Sequence, residues 1–196
     1  MLLLTVRLFN TLTPVILAGI CNMVWVKFGP DALRIPLDHG KVLPDGKRLF
    51  GANKTYLGLI GYVVLHMVFT VLWGALAQAI PTLANNNYFY LLRENHLIYN
   101  LFVGFLLGMA YAVFELPNSF LKRRAEIAPG TGRQGPKGYF FTILDQIDSI
   151  AGVGLVVWFF YPLGIGRYIF LLFIGFFVHA LINFLLYVLG LRKHPL

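Results

Sequence analysis

Asp145 and Asp148 stand at i and i+3 in Leu144-Asp145-Gln146-Ile147-Asp148-Ser149, within an otherwise apolar stretch. On a helix that spacing puts both carboxylates on one face. Two adjacent negative charges repel, so each needs a partner or a cation. Three chemistries fit. A divalent metal would neutralise the pair, and Mg2+ in particular takes oxygen ligands, commonly one or two carboxylates completed by substrate phosphates and water. Lysines or arginines of neighbouring segments would serve as ion-pair partners instead. A transporter would use the pair to conduct or relay cations.

Two basic segments carry complementary chemistry. The first is Asp45-Gly46-Lys47-Arg48-Leu49-Phe50-Gly51-Ala52-Asn53-Lys54-Thr55, in which Lys54 and Thr55 directly precede an apolar, helix-length run. A lysine and a hydroxyl beside free helix-terminal N–H groups make an anion site, and Gly46 and Gly51 permit close backbone approach to a ligand. This is not a Walker A loop, because two extra residues separate Gly51 from Lys54-Thr55 and no strand precedes it. The second segment, Ser119-Phe120-Leu121-Lys122-Arg123-Arg124, follows Glu115 and Pro117. In both segments the cations either bind phosphate or simply fix orientation at a membrane surface. His179 and Asn183, at i and i+4, read as interhelical hydrogen-bonding residues. The single cysteine, Cys21, excludes an internal disulfide and any cysteine-based metal cluster.

The elements that must position these groups follow from composition. Of 196 residues 58% are apolar and only 12% charged, with a mean hydropathy of +0.73. A soluble domain carries about 25% charged residues, so the chain has too little polar surface for a soluble globule. A soluble nucleic-acid binder is excluded despite the net charge of +8, and so are a disordered chain and a disulfide scaffold. A bilayer-spanning helix takes roughly 20 mostly apolar residues, and the charges divide the chain into five such runs: 8–26, 56–80, 97–114, 139–161 and 168–191. The first run lacks the basic start and small-residue cleavage site of a signal peptide and is kept as a helix. The apolar residues from Ser149 to Tyr161 are too few to cross a bilayer, so the fourth helix must begin near Tyr139, which places both aspartates within the membrane thickness. The expected fold is an all-α polytopic membrane protein, a single integral-membrane domain over residues 1–196 with five transmembrane helices and two long cytoplasmic loops.

Charge bias sets the expected orientation. All but Arg7, Arg93 and Arg167 of the 16 lysines and arginines flank or occupy residues 27–55, residues 115–142 or the tail at Arg192 and Lys193. By the positive-inside rule these regions face the cytoplasm, with the amino terminus outside and the chain in the cell membrane. Both long loops are far longer than the roughly 2–8 residues that join helices in bundles, which points to function. Residues 81–96, with Asn85-Asn86-Asn87, read as solvated turn material.

Taken together, Ser119-x-x-Lys122-Arg123, Pro129-Gly130 and Asp145-x-x-Asp148-Ser149 resemble the signature of the CTP-dependent cytidylyltransferases of lipid phosphates. The small size, the five helices, the Asp45-to-Thr55 segment and His179-x3-Asn183-x3-Tyr187 with Leu189-Gly190-Leu191 look most like the CDP-archaeol synthase branch. That branch usually reads G-D-G-K-T-W-R-G where this chain has Gly51-Ala52-Asn53-Lys54-Thr55-Tyr56-Leu57-Gly58, so an acid and an arginine are absent. The resemblance implies a reaction in which CTP and a membrane lipid phosphate, of archaetidic or phosphatidic acid type, give a CDP-activated lipid and pyrophosphate with Mg2+. It puts catalysis on Asp145, Asp148 and Lys122, the metal on Asp145 and Asp148, and nucleotide or phosphate contacts on Gly51, Asn53, Lys54, Thr55, Ser119 and Arg123. The implied partners are CTP, the lipid phosphate and the bilayer, with no nucleic acid and with a homodimer as an allowed assembly. The competing reading is a small transporter or channel built around the aspartate pair.

Overall fold

The computed structural model describes residues 1–129 and 136–190; Gly130, Arg133, Leu191, Arg192, Lys193 and the side chain of Lys137 lie outside them. Among the described residues six α-helices follow one another: α1 Leu2–Phe28, α2 Tyr56–Ala79, the short α3 Pro81–Asn85, α4 Leu97–Arg124, α5 Pro136–Phe160 and α6 Gly164–Val188. Five are long and apolar enough to cross a membrane. No strand forms among the described residues beyond two isolated antiparallel bridges, Pro36 with Thr55 and Val42 with Arg48.

The long helices are apolar on the outside. On α2 the exposed residues Ile60, Val64, Val68, Leu72 and Leu76 recur every fourth position, while its buried positions include Gly61, His66, Thr70, Gly74 and Ala77. Small and polar groups facing other helices and branched aliphatics facing outward suit a lipid solvent. α4 is the central element, packed against α2 on one side and α5 on the other; α1 lies on α2, and α6 on α5. The α2–α4 approach is backbone to backbone. A Cβ at Gly104 would lie 2.5 Å from Met67 Cα, and one at Gly108 2.6 Å from Val63 Cα, so this crossing accepts only glycine.

The five expected spans are present, with shifted ends. α1 starts at Leu2 rather than Leu8, and α6 runs from Gly164 to Val188 rather than from 168 to 191, between left-handed glycines at positions 164 and 190. The largest difference concerns the second long loop, expected over 115–142. Most of it is helix: α4 continues through Pro117 to Arg124, and α5 begins at Pro136. Glu115 and Lys122 do not end the helix because each finds an oppositely charged partner beside it. Residues 81–96 also differ from plain solvated turn. Asn87, Tyr88 and Phe89 are buried, with the Tyr88 amide donating to Thr11 Oγ1 at 3.0 Å and the Phe89 amide to Asn87 Oδ1 at 3.0 Å. Asn10 Nδ2 donates to the Leu83 carbonyl at 2.6 Å, and Trp73 Nε1 donates to Asn10 Oδ1 at 2.9 Å. The asparagines there close one end of the bundle by satisfying backbone and side-chain groups that lipid could not.

Candidate active site

At the other end of the bundle the segment between α1 and α2 folds back on itself. The Leu37 amide donates to the Lys54 carbonyl at 2.7 Å and the Tyr56 amide to the Ile35 carbonyl at 3.0 Å, so the segment leaves and returns at one place. Its organiser is Asp38. This buried carboxylate accepts from the amides of Gly40 (3.0 Å), Phe50 (3.2 Å) and Gly51 (3.0 Å) and from Arg48 Nη2 at 2.5 Å. Burial pushes the Asp38 carboxyl up, but the Arg48 bond and the three amides outweigh it and hold the group well below the usual carboxylate range. Gly51 takes φ +121°, a left-handed value that favours glycine, with its Cβ position 3.6 Å from Arg123 Cζ.

Basic residues fasten this segment to the end of α4. Lys47 Nζ donates to the Arg124 carbonyl at 3.0 Å and to Glu126 Oε1 at 3.1 Å, and Arg124 Nη2 donates to the Arg48 carbonyl at 2.6 Å. Arg124 Nε also lies 2.8 Å from Asp45 Oδ2. These cations cross-link two segments as well as adding charge at one end of the bundle.

Beneath this cover lies one connected chain of polar groups. Lys54 pairs with Glu115 of α4. Glu115 Oε1 accepts from Tyr62 Oη at 3.2 Å and from Ser149 Oγ at 3.1 Å. Ser149 also donates its amide to Asp148 Oδ1 at 2.6 Å. Asn118 Nδ2 donates to Asp148 Oδ2 at 2.7 Å and to Asp145 Oδ1 at 2.6 Å, and Lys122 Nζ closes the chain on both Asp145 oxygens at 2.5 Å. Burial lowers the Lys54 ammonium's affinity for its proton, yet the adjacent Glu115 carboxylate, with Asp148 and Asp145 behind it, raises it overall, so Lys54 is held as a cation.

Helical spacing produces this convergence. Glu115, Asn118, Ser119 and Lys122 fall at i, i+3, i+4 and i+7 of α4, and Asp145, Asp148 and Ser149 at i, i+3 and i+4 of α5, so two matching stripes face each other. The rotation of α5 is fixed from behind. Gln146 is buried and accepts from Asn183 Nδ2 of α6 at 2.8 Å through its side chain, while His179 Nδ1 lies 3.3 Å from its carbonyl. His179 and Asn183 thus hydrogen-bond between helices, as expected.

Of the residues read from sequence, Asp145, Asp148, Lys122 and Lys54 meet in this chain. Thr55 is the N-cap of α2, its hydroxyl accepting from the Gly58 amide at 3.2 Å. Ser119 and Arg123 are buried on α4, with Arg123 near Gly51, and Asn53 is exposed. Glu115 and Asn118 are the additions. Glu115 looked like the end of a span, and the signal that would have found both is the four-residue stripe on α4.

No group of three or more histidine, cysteine or acidic side chains poised for a metal exists among the described residues, but a two-carboxylate site open to phosphates and water is what Mg2+ commonly uses. Asp145 and Asp148 place one oxygen each within 2.7 Å of a single atom, Asn118 Nδ2, so they converge on one point. Asn118 Oδ1 is buried without a hydrogen-bond partner. The donor set therefore fits a hard divalent cation.

A family model described as CarS-like, CDP-archaeol synthase, matches residues 3–196. The chain belongs to the CDP-archaeol synthase family. Curated CDP-archaeol synthases are similar to it across most of its length: that of Thermococcus kodakarensis is 30% identical over 163 residues, 82% of this chain and 81% of the relative. That of Methanocaldococcus jannaschii is 29% identical over 185 residues, 94% of this chain and 95% of the relative. A solved structure described as an intramembrane enzyme for archaeal membrane lipid biosynthesis superposes with a TM-score of 0.60 at 26% identity, covering 89% of this chain and 91% of that one. As a family member the chain is a multi-pass membrane enzyme, a cytidylyltransferase, with the all-helical fold of an intramembrane synthase.

Proposed function

We propose that this CDP-archaeol synthase family member joins CTP to an ether-linked archaeal lipid phosphate in the same membrane, releasing pyrophosphate, with Mg2+ held by Asp145 and Asp148. An oxygen of the lipid phosphate attacks the α-phosphorus of CTP, and the bond from that phosphorus to the β-phosphate oxygen breaks. The nucleophile belongs to the substrate, so no serine, cysteine or histidine is needed for attack, and the protein's task is charge neutralisation and in-line positioning. The ion, when bound, withdraws electron density from phosphate oxygens and screens the charge growing on the leaving pyrophosphate. Lys54 and Lys122 hold their ammonium groups at the two ends of the acidic chain, where triphosphate oxygens can exchange for Glu115 and Asp145. Gly51, Asn53, Thr55, Ser119 and Arg123 line or support the approach on the loop side.

The observation that carries this reading is the single hydrogen-bonded chain from Lys54 through Glu115, Ser149, Asp148, Asn118 and Asp145 to Lys122, which gathers two cations and three carboxylates at one end of a membrane bundle. An apolar cavity lined by Leu12, Ile16, Ile20, Val178 and Ile182 reaches Tyr62, which bonds Glu115, and gives a lipid chain a berth beside the charges. The basic loop segment supports a cytoplasmic placement of this end, with the amino terminus outside.

The test is turnover by purified protein with CTP and either an ether-linked or an ester-linked lipid phosphate, with and without divalent cation. CDP-lipid forms only with the cation, and faster from the ether lipid. Asp145→Asn or Asp148→Asn lowers kcat by roughly 10²- to 10³-fold, as for loss of a charge-stabilising group. Cation-independent turnover, or near-wild-type rates in both variants, would overturn the reading.

A further inference from the structure

Asn118 has a part that the mechanism above leaves unused. Its side chain is only 4% exposed, its Nδ2 donates to one oxygen of each aspartate at 2.6 and 2.7 Å, and its Oδ1 is buried with no partner. A buried amide oxygen without a hydrogen bond is costly, of the order of 1–3 kcal/mol, and such groups in native folds call for an explanation. The Nδ2 atom stands where two carboxylates converge, which is where a cation would neutralise both.

We propose that Asn118 is a two-way residue that serves the carboxylate pair in both of its states. Without metal, the amide N–H group bridges Asp145 and Asp148 and offsets their repulsion. With metal, half a turn about the last side-chain torsion exchanges Nδ2 for Oδ1 without changing the shape of the group, and the orphaned oxygen becomes a neutral ligand beside the two carboxylates. Hard divalent cations accept asparagine oxygens readily. A carboxylate at this position could not bridge the metal-free pair, and an apolar side chain could not ligate, whereas an amide does both. This inference rests on the metal reading above.

Mn2+ binding to the purified protein in detergent, without nucleotide, followed by electron paramagnetic resonance and by thermal stability, tests it. Wild-type protein binds Mn2+. N118L, close in size but without an oxygen, binds it roughly 10- to 100-fold more weakly. N118D, which restores an oxygen and adds a charge, binds as tightly as wild type or tighter, and its Tm without metal is depressed but rises on Mn2+ addition by more than that of wild type. The opposite pattern, in which N118L binds Mn2+ as well as wild type or better, shows an amide merely displaced by the ion and overturns the proposal. Because N118L could fail to fold, N118D is decisive alone: a metal affinity well below wild type in a helical, monodisperse sample also overturns it. If wild-type protein binds no Mn2+ and D145N behaves identically, the metal reading itself has failed.

Discussion

Asp38 is the residue whose chemistry is most fully determined by its surroundings. Its carboxyl is held well below the usual carboxylate range by Arg48 and three backbone amides despite its burial. A depressed acid contributes stability that is complete above its unfolded pKa and is lost as pH falls below it. Exchange of the amides at Gly40, Phe50 and Gly51, corrected for intrinsic rate, should stay slow from pH 7 down to about 4 and accelerate below that. Asp38→Asn should remove about 2 kcal/mol of local protection at neutral pH; exchange as slow as in wild type would show that the carboxylate does not organise the loop. Lys54 and Glu115 make the second residue-scale case. The double variant Lys54→Ala/Glu115→Ala should be more stable than the sum of the single losses predicts, by about 0.5–3 kcal/mol, measured by thermal unfolding in detergent. Additivity would mean the pair is not coupled. The aspartates were legible in the sequence because charges within an apolar run are rare and expensive. Glu115 was not, since its partner is 61 residues away, and Asn118 was not, since a neutral amide leaves no mark on a charge map.

At the level of elements, the site depends on how closely α2 and α4 approach. Lys54 and the N-cap Thr55 directly precede α2, and Glu115 stands about two helical turns beyond Gly108 on α4, so any splaying at the glycines separates the two charges. Gly104→Ala and Gly108→Ala each push a methyl group against backbone rather than against a movable side chain. Each should cost at least about 1–3 kcal/mol, the range for overpacking, and lower kcat with it. Unchanged Tm and turnover in both would show that the crossing is slack. The existence and order of the five spans were readable from length and charge alone. Their ends were not, because a sequence reading stops a membrane helix at its first charge, whereas α4 carries Glu115 and Lys122 onward by pairing each with a group that only the fold brings near.

For the whole molecule, the two ends of the bundle are chemically distinct. One is closed by buried asparagines bonded to backbone, Asn10 donating to the Leu83 carbonyl and Asn87 accepting from the Phe89 amide. The other carries the ion-paired chain under a basic cover. The orientation proposed from the charges, with the amino terminus outside, is checked by labelling single-cysteine variants, with Cys21 replaced, in intact cells: a thiol at Asn86 should react with an impermeant reagent and one at Lys41 should not. The reverse pattern would invert the topology. Finally, the segment before α2 returns to its starting point, clamped at Ile35–Tyr56 and Leu37–Lys54, while its tip at residues 43–46 turns through a left-handed Gly46. Length changes at that tip leave the clamp untouched. Natural insertions and deletions should collect there, and a reporter peptide spliced into it should be tolerated, whereas one residue added between Lys54 and Tyr56 would break the pairing of Lys54 with Leu37 and of Tyr56 with Ile35, draw the lysine away from Glu115 and silence the enzyme.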